Sequence, residues 1–286
     1  MQSTQATLIS AQALQQRLTQ DQNQAGKLHI LDCRFAMAAQ PMPDAGQKAY
    51  QAGHIPGAVY ADLDRQLSDP IRYGVTGRHP LPSSERLLAA LKQWGIDGDQ
   101  PVVVYDQNNS SMAAARAWWL LRFAGLTQVQ VLDGGLDAWL SAEGELSQEI
   151  PEIGEVGDFS PQWQTERLIN ADAILQQQPN LVDARARERF AGKMEPIDPV
   201  AGHIPGAQCL PFNELVDAQG CFLPIEELKE KLTPFNQPDS VAYCGSGVTA
   251  CHLILACVIA GIEEPKLYAG SWSEWIKDIN RPIARL

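Results

Sequence analysis

One of the six cysteines of the chain stands where it could do chemistry. Cys244 ends the β-rich run Ser240-Val241-Ala242-Tyr243 and opens the string Cys244-Gly245-Ser246-Gly247-Val248-Thr249, after which a helical pattern begins. In an open parallel sheet ligands bind beyond the carboxyl ends of the strands, where the next helix offers unpaired N–H groups and the positive end of its dipole. Gly245 and Gly247 carry no Cβ, so the chain there can take φ > 0 and turn successive amides inward as an anion-binding nest. Such a nest, with Gly245, Gly247, Val248 and Thr249 around it, would hold a thiolate or a persulfide sulfur, and Ser246 adds a hydroxyl. The competing reading of Cys244 is a small apolar residue that closes a buried strand.

The elements that must position this loop occur twice. The string GHIPGA places His54–Ala58 and His203–Ala207 149 positions apart. Leu31-Asp32-Cys33-Arg34 answers Val182-Asp183-Ala184-Arg185, Val103-Val104-Tyr105 answers Val241-Ala242-Tyr243, and 134–139 answers 270–275, all in the same order. The chain is a duplication. The second repeat reads as a strand LVDAR, a helix near Ile225–Lys231, a strand SVAYC, an apolar helix Val248–Ala260, a short strand Lys266–Tyr268 and an amphipathic helix around Trp272–Ile276. This alternation predicts an α/β protein of two domains, each a mostly parallel sheet flanked by helices on both faces. A stretch rich in Pro, Gly and acids marks the linker at 148–164, with domains at 1–147 and 165–286.

The halves differ at two places. His54 to Tyr105 spans 51 residues and His203 to Tyr243 only 40. Most of the excess lies in Asp64–His79, a candidate for contacting the other half. Where the second repeat has Cys244 the first has Asp106, followed by Gln107-Asn108-Asn109, so only one half keeps a nucleophile. The GHIPGA histidines occur in the half without it and read as structural. Cys251 reads as a core thiol, Trp118 and Trp119 as core, and Cys251, His252 and Cys257 lack metal-ligand spacing.

The net charge of −12 over 286 residues disfavours diffuse attraction to nucleic acid or anionic lipid, so an anionic substrate must be drawn in locally. The longest strongly apolar run, Leu253–Ala260, is far short of the ~20 residues that span a bilayer. The amino-terminal MQSTQATLIS has neither basic region nor apolar core. A cytoplasmic protein with reduced thiols is expected, without membrane, nucleic acid, metal or cofactor.

Two GHIPGA-bearing halves, with Asp106 in the first loop and CGSGVTA at Cys244–Ala250, resemble the tandem-domain rhodanese family of sulfurtransferases. The small neutral residues after the cysteine resemble the 3-mercaptopyruvate sulfurtransferase branch, where the thiosulfate branch has basic residues. The resemblance implies two rhodanese folds, an inactive amino-terminal domain, and a Cys244 that cycles through a persulfide. It implies a small anionic sulfur donor, 3-mercaptopyruvate or else thiosulfate. As acceptors it implies thioredoxin or low-molecular thiols, or cyanide in the assay tube. A relay that passes sulfur from protein to protein is the alternative. Arg189 matches the family's substrate-binding arginine. Asp62 and His79 match an Asp and a His that would assist Ser246 as a relay, against the alternative that Asp62 caps a helix and His79 serves an interface. Arg185 reads as a structural ion-pair partner of Asp183 or Glu188. Where the mercaptopyruvate branch carries a second arginine in an E-P-R string, this chain has Glu195-Pro196-Ile197, leaving Lys193, Arg72 or Arg78 as replacements. The related cysteine phosphatases need C-x5-R, and Ala250 stands at that position.

Overall fold

A computed structural model describes residues 7–21, 28–35, 44–98, 100–107, 109–154 and 159–286. Asn108 and positions 155–158 of the expected linker lie outside them. In chain order the first half contains β1 (Leu8–Ile9), α1 (Ala11–Asp21), β2 (His29–Asp32), α2 (Ala45–Ala52), β3 (Ala58–Tyr60), α3 (Ser84–Gln93), β4 (Val102–Tyr105), α4 (Ala113–Phe123), β5 (Val129–Leu132) and α5 (Gly135–Ser141). The second contains α6 (Ala171–Gln177), β6 (Leu181–Asp183), α7 (Arg187–Phe190), β7 (Gln208–Cys209), α8 (Ile225–Lys231), β8 (Val241–Tyr243), α9 (Ala250–Ala260), β9 (Lys266–Leu267) and α10 (Ser271–Trp275).

Every pairing among these named strands is parallel. The first sheet runs β1-β5-β4-β2-β3 and the second β7-β6-β8-β9. An isolated parallel bridge from Leu168 to Leu267 stands where the first sheet has β1. The central strands β4 (VVVY) and β8 (VAY) are buried throughout, as continuous apolar runs in parallel sheets are. Apolar α4 packs on β4 and β5, and α9 packs on β8 and β9; Trp118, Trp119 and the inner positions of α9, Cys251 included, are core.

The repeated string is one physical device used twice. Ile-Pro-Gly-Ala forms a turn in which Ala58 N–H donates to Ile55 C=O (2.9 Å) and Ala207 N–H to Ile204 C=O (3.1 Å). Gly57 and Gly206 sit at φ +80 and +82, the conformation a turn with proline before its glycine demands. His54 Nδ1 lies 2.8 Å from Tyr50 O with its ring stacked on Tyr50, and His203 Nδ1 lies 2.8 Å from Phe190 O with its ring stacked on Phe190. Arg34 grips Asp32 and donates to Gly53 O, while Arg185 grips Asp183 and donates to Gly202 O. Each strand end is thereby fixed to the turn by a buried ion pair.

The chain divides into two compact units that are not continuous in sequence. The first comprises Met1–Leu67, Pro82–Gln164 and Ala218–Cys221; the second comprises Ser68–Leu81, Thr165–Asp217 and Phe222–Leu286. The end of the expected linker belongs to the first unit, where Gln162 and Gln164 N–H donate to Ala124 and Phe123 C=O. Most of the extra stretch of the first repeat belongs instead to the second unit.

Candidate active site

β8 delivers Cys244 to the carboxyl edge of the second sheet, 2% exposed. Its N–H donates to Ser271 Oγ (3.0 Å), and its C=O accepts from Trp272 N–H (3.0 Å) at the start of α10. Ser273 N–H donates to Gly245 O (2.9 Å). The loop then turns back at Gly247, φ +79, whose N–H donates to Cys244 Sγ (3.1 Å). A β-carbon on Gly247 would lie 2.3 Å from Ala269 O, so glycine is required by conformation and by space. Buried Val248 and partly buried Thr249 lead into α9. Ser246 is buried, with its hydroxyl 2.8 Å from His79 Nδ1.

The same position in the first unit is occupied by Asp106. Its C=O accepts from Leu136 N–H (3.0 Å), as that of Cys244 does from Trp272. Its carboxylate Oδ2 accepts from Met112 N–H (3.2 Å) and Ala114 N–H (3.0 Å) at the amino end of α4. The amides that could receive a substrate anion there already hold one.

A chain of charges borders the Cys244 loop. Arg185, stacked over Trp272, pairs with Asp183 (2.7 Å) and Glu195 (3.3 Å). Glu195 takes Arg189 Nε (3.0 Å) and Nη2 (2.7 Å) and the N–H groups of Ile197 and Asp198. Burial opposes its charge, but the hydrogen bonds from Arg189 and Asp198 N–H outweigh this and hold the Glu195 carboxyl below the usual carboxylate range. Arg189 Nη2 also reaches Asp198 (3.2 Å), and the other oxygen of Asp198 accepts from Arg78 Nη1. Glu195, met in the sequence only as the first residue of the string that lacks an arginine, is the clamp of Arg189. Asp198 has no signal in the sequence beyond its spacing of three from Glu195.

The second unit therefore brings together Cys244, Gly245, Ser246, Gly247, Val248, Thr249, His79 and Arg189. Asp62 lies in the first unit, where its carboxylate accepts from Asp64 N–H (2.9 Å) and Arg65 N–H (3.1 Å) and closes a turn. Arg185 pairs with Asp183 and with Glu195 rather than with Glu188. Cys251 Sγ donates to Gly247 O (3.4 Å) from the core side of the loop. Among the described residues no group of three His, Cys, Asp or Glu side chains is placed to hold a metal ion, and no helix is long and apolar enough to cross a membrane.

The rhodanese-like domain matches the chain twice, over residues 10–142 and 161–278. A probable 3-mercaptopyruvate sulfurtransferase of Pseudomonas aeruginosa is 48% identical over 98% of both chains. A putative thiosulfate sulfurtransferase, SseB of Mycobacterium tuberculosis, is 41% identical over 92% of this chain and 93% of its own. The crystal structure of SseA of Escherichia coli, a 3-mercaptopyruvate sulfotransferase, superposes with a TM-score of 0.79 at 31% identity, covering 94% of this chain and all of its own. The chain belongs to the rhodanese family of sulfurtransferases and carries the family's domain twice.

Proposed function

We propose that the chain moves sulfur from 3-mercaptopyruvate to a thiol acceptor through a persulfide on Cys244. The observation that carries this reading is the Cys244 sulfur at the strand end, accepting the Gly247 N–H at 3.1 Å, in a loop whose Ser246 hydroxyl meets His79 at 2.8 Å. The Cys244 thiolate attacks the thiol sulfur of the donor and forms an S–S bond. The donor's C–S bond breaks, its electron pair passes to carbon as the enolate of pyruvate, and the enolate takes a proton. Ser246, backed by His79, polarises the donor carbonyl and passes to the enolate carbon the proton that the donor's thiol gives up as its sulfur becomes the persulfide anion. The Gly247 amide and the amino end of α9 stabilise the sulfur anion, and Arg189 holds the donor carboxylate. An acceptor thiolate then attacks the outer sulfur and restores the Cys244 thiolate.

Thioredoxin or low-molecular thiols fit as acceptors in the cell, and cyanide in the assay. All six cysteines are free thiols, which suits a cytoplasmic location. Thiosulfate is the rival donor, favoured by the name of the mycobacterial relative. Side-by-side kcat/KM for the two donors, with cyanide as acceptor, decides between them, and 3-mercaptopyruvate is expected to be preferred. Cys244→Ser should gain no sulfur in the mass spectrum after incubation with donor. Sulfur transfer retained by that variant would refute the mechanism.

A further inference from the structure

We propose that Arg78 is the second donor-binding arginine of the Cys244 site and that Asp198 positions it, an assignment that rests on the reading of Cys244 given above. A β-carbon on Gly245 would lie 2.8 Å from Arg78 Nη2, and 3.5 and 3.6 Å from Arg189 Nη2 and Nη1. Two guanidinium groups thus converge over the residue that follows the nucleophile, one from α7 and one from the Ser68–Leu81 stretch.

Their hydrogen bonds leave a terminal nitrogen uncommitted on each. Arg189 commits Nε and Nη2 to Glu195 and Asp198, and Arg78 commits Nη1 to Asp198. Arg189 Nη1 and Arg78 Nη2 have no partner among the described residues. Asp198, buried and shared, gives each of its oxygens to one guanidinium, which keeps the two like charges side by side. A carboxylate laid over Gly245 would take one N–H from each arginine, a fork assembled from two side chains.

The backbone of Arg78 is bound to the loop as well. Its N–H donates to Ser273 Oγ (3.0 Å), and the N–H of Ser273 donates to Gly245 O (2.9 Å), so one serine fixes both. Gly77 lies so close to α10 that a β-carbon there would sit 2.6 Å from Gly270 O. The other candidates for the missing arginine, Arg72 and Lys193, are exposed. Arg78 and His79 are consecutive, so this one stretch brings both a cation for the donor and a partner for Ser246 to the loop.

The test is steady-state kinetics of the full chain with 3-mercaptopyruvate and cyanide, together with the sulfur-mass gain of Cys244 at saturating donor. One charge-assisted hydrogen bond corresponds to roughly 10- to 100-fold in affinity. Arg78→Ala should raise KM by that factor, lower kcat less than about threefold, and still load Cys244 at saturation. Arg78→Lys should recover part of the loss, and Arg72→Ala should stay within about twofold of the parent. Asp198→Asn should raise KM in the same direction, with no further rise when combined with Arg78→Ala. A KM unchanged in Arg78→Ala, or kcat and KM failing together, overturns the assignment. A parent that gains no sulfur from 3-mercaptopyruvate overturns the donor reading instead. The Arg78→Ala comparison is then made with thiosulfate, whose KM must rise likewise, and a parent inert with both donors overturns both.

Discussion

Replacing each glycine of the Cys244 loop by alanine separates two kinds of constraint. At Gly247 the backbone is at φ +79, where a residue with a Cβ costs roughly 1–2 kcal/mol. A stiffer unfolded chain returns roughly 0.4–1 kcal/mol. The new carbon would stand 2.3 Å from Ala269 O and 3.0 Å from Ala269 C and Cα, backbone atoms that lead into Ser271, the acceptor of Cys244 N–H. Overpacking of this kind costs roughly 1–3 kcal/mol. The sum for Gly247→Ala is about 1–4.5 kcal/mol of stability, together with a fall in kcat of roughly 10–100-fold as the amide leaves Cys244 Sγ. Gly245 needs no left-handed backbone, and the three atoms nearest its added carbon are guanidinium nitrogens at the ends of the Arg78 and Arg189 side chains rather than backbone. Gly245→Ala should cost less than about 1 kcal/mol and raise KM, since the methyl group fills the place between the two guanidinium groups. Urea unfolding midpoints and steady-state kinetics with 3-mercaptopyruvate read both effects. A Gly247→Ala protein as stable and as fast as the parent, or a Gly245→Ala protein that unfolds as early as Gly247→Ala, would refute the reasoning.

Three further outcomes are expected. Ser246→Ala and His79→Asn should each lower kcat with 3-mercaptopyruvate by roughly 100-fold and affect thiosulfate far less, because sulfite leaves without an enolate to protonate. Asp62→Asn, whose carboxylate is spent on a turn, should leave kcat unchanged, and a loss equal to that of His79→Asn would make Asp62 part of the relay. His252, wholly buried on α9 and stacked on Phe222 at 4.6 Å, has its pKa pushed by burial down to about 3 from an ordinary 6.5. The unfolded chain binds the proton first, so stability is full above pH 6.5 and is lost as pH falls toward 3, by up to roughly 1.4 kcal/mol per pH unit. His252→Leu should flatten that acid limb in urea midpoints, and an unchanged slope would rule out His252 as its source.

Much of the fold is written in local patterns. The GHIPGA turn, the buried Asp-x-Arg pair and the apolar central strands are each specified within a few residues, so the repeat and its parallel sheets are legible from spacing alone. Helix α8 falls at Ile225–Lys231 as its pattern predicts, while α9 begins two residues later than its apolar run because Val248 and Thr249 complete the turn around Cys244. What spacing cannot convey is the pairing of Arg78 with Asp198 across 120 positions, or the membership of Ser68–Leu81 in the second unit. Glu195 shows the same limit. Its carboxylate matters because Arg185 and Arg189 both reach it, and that convergence exists only after α7 has formed.

The carboxylate of Asp106 gives the duplication a further meaning. A loop of inward amides carries an electrostatic debt until a negative charge occupies it. The first unit settles that debt with its own side chain, through the hydrogen bonds from Met112 and Ala114 N–H. The second leaves it to the Cys244 sulfur, which accepts the Gly247 N–H. One copy of the repeat thus fills its loop with a carboxylate of its own, and the other keeps its loop for the Cys244 sulfur.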